Sequence, residues 1–118
     1  MGGGVGPSLD RCRAVVSRGE VWWVEDPVAG KRPHLVLTRD AAIPVLNDLL
    51  VVPATRSIRS IPTEVRLDVD DGMPEECVLS LDNATLMPKV FFRERICALS
   101  PERMASVCGA LAHATGCR

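Results

Sequence analysis

The stretch VVPATRSIRSIPTEV, residues 51–65, joins two strand-like runs through a connection that carries positive charge. Its outer parts are rich in Val and Ile, which favour strands. Pro53 and Pro62 cannot donate a hydrogen bond to a sheet, so they are expected where strands end or begin. A purely structural turn would more naturally use Asn, Asp or Gly. The threonine and two arginines found here instead predict two strands joined by a cationic link.

Further strand-like runs flank this stretch, each bounded by turn residues. The predicted strands cover residues 20–24, 32–38, 49–54, 63–69 and 77–81. Residues 39–48 predict a loop with one helical turn because Pro44 limits any helix there. Residues 90–99 fit a strand or a helical turn equally well by period.

The last element is predicted to be an amphipathic helix. Ser100 suits the N-cap and Pro101 the first helical position, and Gly116 marks the end. Short strands followed by one terminal helix predict a mainly β fold. We expect a strongly curved antiparallel sheet, or a partly open barrel, with the helix packed on it.

Length and composition predict one globular domain. The chain has 118 residues, of which 47% are apolar and 25% charged, as is typical of soluble folded proteins. Residues 1–17 begin with a glycine-rich segment and are predicted to be a flexible arm, with the domain over residues 18–118. The net charge of −1 gives no overall attraction to nucleic acid. Residues 51–66, however, carry three arginines against one glutamate, which permits a local anion-binding face.

Several classes of function are disfavoured. The five cysteines are scattered without a C-x-x-C pair, so no zinc site is expected, and no metal or cofactor is predicted. No apolar segment resembles a secretory signal or approaches membrane-spanning length. We therefore expect a cytoplasmic protein with reduced thiols and no membrane partner.

Two arginine-bearing strand ends are the strongest candidates for a binding site, RP at 32–33 and PATRS at 53–57. A guanidinium has a planar fork that matches phosphate oxygens, and a nearby threonine hydroxyl adds a neutral donor. From the residues alone, a phosphate site and arginines that are merely solvated both remain open. His34 is a candidate base because it follows Arg32 by two positions in a predicted strand, although its position favours a packed histidine.

The tandem tryptophans, Trp22 and Trp23, must face opposite sides of their predicted strand. We expect one to lie in the core and the other on a surface that faces a partner or a substrate.

The order of the motifs resembles that of the MazF/PemK family of toxin–antitoxin endoribonucleases. The motifs are RGEVWWVEDP (18–27), RPHLVLT (32–38), VVPATRSIRSIPTEV (51–65), CVLSLDNATLMP (77–88) and ICALSPERM (96–104). Each is weak alone, but the five in series, spanning about residues 18 to 114, are specific.

This resemblance implies an SH3-like antiparallel barrel of the MazF/CcdB type, acting as a homodimer. It implies metal-independent cleavage of single-stranded RNA, whether mRNA, tRNA or rRNA, at short sequence motifs. The ribose 2′-hydroxyl attacks the adjacent phosphate and leaves a 2′,3′-cyclic phosphate and a 5′-hydroxyl. It also implies inhibition by a MazE-like antitoxin whose disordered segment folds over the RNA site.

The resemblance assigns roles to individual residues. Arg32 and Thr55 match the family's catalytic motifs, with Arg32 stabilising the phosphorane and Thr55 donating to a phosphate oxygen. The expected RNA-binding residues are Arg56 and Arg59 for phosphates, and Asp82 and Asn83 for base edges.

One departure from the family pattern concerns the first loop. Only VAGK separates Pro27 from Arg32, so the loop glutamate of some relatives has no counterpart. Because an arginine guanidinium keeps its proton, it is a poor base, and the proton acceptor is left open with His34 as a candidate. Two alternatives share the fold: a CcdB-like toxin that poisons DNA gyrase, disfavoured by the RP and PxT elements, and a catalytically silent binding module.

Overall fold

The computed structural model describes residues 16–117. Seven strands and one α-helix occur in this part of the chain, and three single 3₁₀ turns lie between them. The elements are β1 Glu20–Asp26, β2 Gly30–Val36, β3 Asp48–Thr55, β4 Glu64–Leu67, β5 Cys77–Ser80, β6 Thr85–Pro88, β7 Phe92–Ala98 and α1 Pro101–Thr115. The predicted arm lies outside the described residues except at Val16 and Ser17, and Val16 is buried.

All strand pairs are antiparallel, in the order β4-β5-β3-β2-β1-β7, with β6 paired to β3. Among the described strands, β4 and β7 end the sheet and do not pair with each other, so the barrel stays open. The predicted mainly β antiparallel fold with a C-terminal helix is confirmed.

Strand β3 is the corner of this sheet. Its first half, Asp48–Val51, pairs with β6, whereas Ala54 and Thr55 pair with β5. The same strand pairs with β2 on its other side through Val51–Pro53. Because β3 changes partner along its length, its C-terminal end comes next to both β2 and β5.

Apolar side chains form two clusters on the two sides of the curved sheet. The larger one includes Leu35 and Leu79 and is covered by Val107 and Ala110 of α1. The smaller one holds Trp22 against Phe92, with ring centroids 6.1 Å apart. Burial of both faces explains why the strands keep their register, since a shift of one residue would exchange the two faces.

The helix begins and ends as predicted. Ser100 Oγ accepts a hydrogen bond from the backbone N–H of Arg103 at 3.1 Å, and Gly116 ends the helix at a φ of +71°. No helix in residues 16–117 is long and apolar enough to cross a membrane.

Strands β6 and β4 differ most from the sequence prediction, while β1 runs to Asp26 instead of residue 24 and β2 covers Gly30–Val36 instead of residues 32–38. Strand β6 was not predicted, because Thr85 and Leu86 are both exposed and show no alternation of buried and exposed residues. Strand β4 ends at Leu67 instead of continuing to Val69, because Asp68 caps a 3₁₀ turn and accepts from the N–H of Asp70. The ambiguous stretch 90–99 contains strand β7.

Candidate functional site

A cleft of about 350 Å³ lies where the start of β2 meets the end of β3. It is lined by Trp23, Lys31, Arg32, Pro33, Ala54, Thr55, Arg56, Met73, Pro74, Glu75 and Cys77, and these residues define the cleft below. In the antiparallel register His34 pairs with Pro53. Continuing that register by two residues puts Arg32 opposite Thr55, so the pairing of β2 and β3 brings the two predicted catalytic residues together.

Trp23 forms part of one wall of the cleft. Its neighbour Trp22 is 6% exposed in the core, whereas Trp23 is half-buried and faces the cleft. The Lys31 ammonium nitrogen lies 5.5 Å from the centroid of the Trp23 ring, within range of a cation–π contact. The predicted division of the two tryptophans between core and surface is confirmed.

Thr55 is placed to donate a hydrogen bond into the cleft. Its Oγ1 accepts from the backbone N–H of Ser57 at 3.2 Å. A hydroxyl that accepts in this way still has its own hydrogen to donate. Arg32 is exposed at the same position and has no carboxylate within 4.0 Å in the described part of the chain. A guanidinium and a hydroxyl therefore line the same cleft, and no carboxylate of residues 16–117 pairs with the guanidinium.

Arg56 also lines the cleft, and its charge is only loosely balanced. Its Nη1 lies 3.6 Å from Oε2 of Glu75, and both side chains are well exposed, at 78% and 59%. An exposed pair at this distance contributes little to stability. Arg56 can therefore leave Glu75 and turn toward a phosphate with only a small loss of free energy.

His34 is not among the residues that line the cleft. It is 3% exposed, and its Nδ1 lies 3.1 Å from the carbonyl oxygen of Arg32. Burial lowers the pKa of the imidazole below its usual 6.5. The side chain thus has the environment of a packed, neutral histidine.

Three further residues that were predicted to bind RNA lie outside the cleft lining: Arg59, Asp82 and Asn83. Arg59 donates from Nε to Oε2 of Glu64 at 3.0 Å, and this carboxylate also accepts from the backbone N–H groups of Arg59 and Ser60. Burial opposes ionisation of Glu64, but these hydrogen bonds outweigh it and lower its pKa. Arg59 therefore stabilises the link between β3 and β4.

Asp82 and Asn83 lie in the 3₁₀ turn after β5. Asp82 accepts a hydrogen bond from Thr63 Oγ1 at 2.6 Å, and Asn83 donates to Ser80 Oγ at 2.8 Å. Both side chains remain exposed. Their roles toward RNA, like that of Arg59, stay predictions.

Met73, Pro74, Glu75 and Cys77 also line the cleft, and of these only Cys77 belongs to a predicted element, the strand over residues 77–81. Thr55 pairs with Val78 of β5, which brings the residues before Val78 beside the end of β3. This pairing joins positions 23 residues apart in the chain, so no local sequence pattern predicts it. Burial raises the pKa of the Cys77 thiol to about 11, so this thiol is protonated at neutral pH.

The cleft combines charged side chains with a hydroxyl, and its described residues include no cluster of metal ligands. Within residues 16–117, no three His, Cys, Asp or Glu side chains are grouped closely enough to hold a metal ion. Three cationic side chains, one hydroxyl and one indole face the same space. Fold and site together define a small, mainly β protein with a cationic cleft at one corner of its sheet.

Comparison with known proteins identifies the family. Residues 17–115 match the family described as PemK-like, MazF-like toxin of type II toxin-antitoxin system. The chain is 41% identical over 101 residues to the probable endoribonuclease MazF2 of Mycobacterium tuberculosis, covering 85% of this chain and 98% of that protein. It is 40% identical over 105 residues to the probable endoribonuclease MazF5 of the same organism, covering 88% and 96%. The chain belongs to the PemK/MazF toxin family.

A solved structure with the same fold is an endoribonuclease in complex with its cognate antitoxin from a mycobacterial species. The TM-score is 0.80 at 26% identity, over 88% of this chain and 98% of the other.

Proposed function

We propose that this protein is the toxin of a type II toxin–antitoxin system and a metal-independent endoribonuclease that cleaves single-stranded RNA. The observation that carries the proposal is the convergence of Arg32 and Thr55 in one cleft, with Trp23 and Arg56 beside them. The family and the two relatives described as probable endoribonucleases support it. Cleavage at short sequence motifs would inhibit translation and growth.

In the proposed reaction the ribose 2′-hydroxyl attacks the adjacent phosphorus, and the bond to the 5′-oxygen breaks. The products are a 2′,3′-cyclic phosphate and a 5′-hydroxyl. The substrate supplies its own nucleophile, so the protein needs only to position the phosphate and stabilise its extra negative charge. Arg32 would bind the phosphorane oxygens, and Thr55 would donate to a non-bridging oxygen. Removing one preorganised donor of this kind costs about 10²- to 10³-fold in rate.

RNA binding beyond the scissile phosphate is assigned to residues around the cleft. Arg56 and Arg59 would contact neighbouring phosphates, and Asp82 and Asn83 would contact base edges. Arg56 lines the cleft itself, whereas the other three lie outside its lining. The indole of Trp23 offers one surface on which a base can stack.

The proposed partners are a MazE-like antitoxin and a second copy of the chain, in the cytoplasm. The mycobacterial endoribonuclease of the same fold binds a cognate antitoxin, which supports the first partner. An antitoxin segment that covers the cleft would exclude RNA from Arg32 and Thr55.

The proposal is tested by incubating the purified protein with a long RNA of mixed sequence in EDTA and mapping the product ends. We expect discrete cuts with 5′-hydroxyl ends. Arg32→Ala and Thr55→Ala should each slow cleavage by about 10²-fold or more while the variants stay folded. Arg39→Ala is the matched control, because Arg39 is exposed beyond the opposite end of β2.

Other outcomes of this experiment would replace the proposal. Wild-type rates in both cleft variants would show that the assignment of Arg32 and Thr55 is wrong. Intact RNA together with inhibition of DNA gyrase would support the CcdB-like alternative. RNA binding without cleavage would support the catalytically silent module.

A further inference from the structure

Attack by a 2′-hydroxyl requires a group that accepts its proton, and most side chains in the cleft cannot do so. Arg32 and Arg56 are permanently protonated guanidinium groups. Lys31 carries an ammonium, which has donors and no acceptor. The Cys77 thiol is 4% exposed and has a pKa of about 11 because of burial, so it is protonated at neutral pH.

His34 is excluded by position. It is buried at 3% exposure and absent from the cleft lining, and its Nδ1 is turned back to the carbonyl of its own strand. A base must lie within hydrogen-bond reach of the proton it removes. The imidazole is not exposed to the space where Arg32 and Thr55 meet.

Glu75 is the one carboxylate of residues 16–117 that lines the cleft. Its side chain is 59% exposed, so its oxygens are open to a substrate. Its Oε2 lies 3.6 Å from Nη1 of Arg56, too far for a strong hydrogen bond, which leaves acceptor capacity on both oxygens. The neighbouring Glu76 instead forms a close pair with Arg66 and does not line the cleft.

The backbone around Glu75 is held from both sides. Before it, Met73 is 4% exposed in the larger core cluster, and Pro74 has a restricted φ. After it, Cys77 is the first residue of β5 and pairs with Leu67. Because Met73 and Cys77 anchor this short segment at both ends, the carboxylate of Glu75 stays close to the end of β3.

We propose that Glu75 is the general base of the cleavage reaction, an inference that rests on the proposed ribonuclease function. The carboxylate takes the proton of the 2′-hydroxyl as the 2′-oxygen forms its bond to phosphorus. The bond between phosphorus and the 5′-oxygen breaks, and the leaving oxygen takes a proton from water. Glu75 then returns its proton to solvent, and no oxidation or reduction occurs. The charged groups that line the cleft together with Glu75 are Lys31, Arg32 and Arg56, and the Cys77 thiol is the remaining titratable group among the described lining residues.

The test compares Glu75→Gln with Glu76→Gln on a short RNA that the wild type cleaves. Glu75→Gln keeps the shape of the side chain but cannot accept the proton, so kcat should fall by about 10²- to 10⁴-fold. Its KM should stay within about threefold of the wild-type value, since the phosphate-binding residues are intact. Glu76→Gln, which loses only a surface pair, should keep both values.

The pH profile separates a base from a residue that only positions Arg56. The wild-type rate should rise with pH while the carboxylate loses its proton and then level off. The residual rate of Glu75→Gln should instead rise in proportion to hydroxide over the whole range. Glu75→Asp, which keeps a carboxylate, should retain the wild-type form of the profile at a reduced rate.

Two results would overturn the inference while the wild type cleaves normally. One is wild-type kcat in Glu75→Gln. The other is a loss confined to KM with the pH profile unchanged, which would make Glu75 a positioning residue for Arg56. If the wild-type protein cuts no RNA, the proposed function itself fails, and this outcome is distinct from both.

Discussion

Replacing Gly72 by alanine should destabilise the protein more than the same change at any open glycine. Gly72 has a φ of +100° at the end of the 3₁₀ turn before Met73. A Cβ built there would lie 2.7 Å from Cβ of Cys97 in strand β7. Normal carbon–carbon contacts lie near 3.5–4.0 Å, so one backbone must move by roughly 1 Å.

The expected magnitude has two parts. A non-glycine residue in the left-handed region costs about 1–2 kcal/mol. Overpacking a buried contact costs about 1–3 kcal/mol, and Cys97 is only 9% exposed. Together they predict a loss of about 2–5 kcal/mol in the free energy of unfolding, a large share of the roughly 5–15 kcal/mol available to a domain.

Gly30→Ala is the matched control. Gly30 has a φ of +90°, but a Cβ there meets nothing within 4 Å. It should therefore show only the conformational part, about 1–2 kcal/mol. Guanidinium unfolding with linear extrapolation measures both variants. Equal losses in Gly72→Ala and Gly30→Ala would refute the packing argument.

Two further predictions concern stability. Burial holds the pKa of His34 in the folded protein below its usual 6.5. As the pH falls, this histidine therefore takes up a proton in the unfolded chain before it does so in the folded one. The free energy of unfolding of the wild type should decrease from about pH 6.5 down to the pKa of His34 in the folded protein. Denaturation midpoints measured against pH should no longer fall in this range for His34→Gln. The midpoints of His113→Gln, which changes an exposed histidine, should still fall as in the wild type. A wild-type pH dependence in His34→Gln would contradict the assignment of this effect to His34. Ser100→Ala removes the helix cap to Arg103 and should cost about 1 kcal/mol, measured by thermal unfolding. Ser106→Ala inside the helix should change stability by less than about 0.5 kcal/mol, and an equal loss there would argue against capping.

Local patterns in the sequence were sufficient for most of the strands and for the helix. The helix was predicted from Ser100, Pro101 and Gly116, whose effects depend only on nearby backbone groups. Strand β6 was missed because its stability comes from hydrogen bonds to β3, and its side chains carry no alternating pattern. Strand pairing is a property of two segments, and neither segment alone reveals it.

The same distinction applies to the site. The fold class, the family and the candidate roles of Arg32 and Thr55 could be predicted from the sequence, because short motifs carry them. The burial of His34 and the place of Glu75 in the same cleft as Arg56 are visible only in the folded chain. The reason is physical: the pairing of β5 with the end of β3 brings Glu75 to the cleft from a distant part of the chain, and burial follows from the packing of the whole sheet.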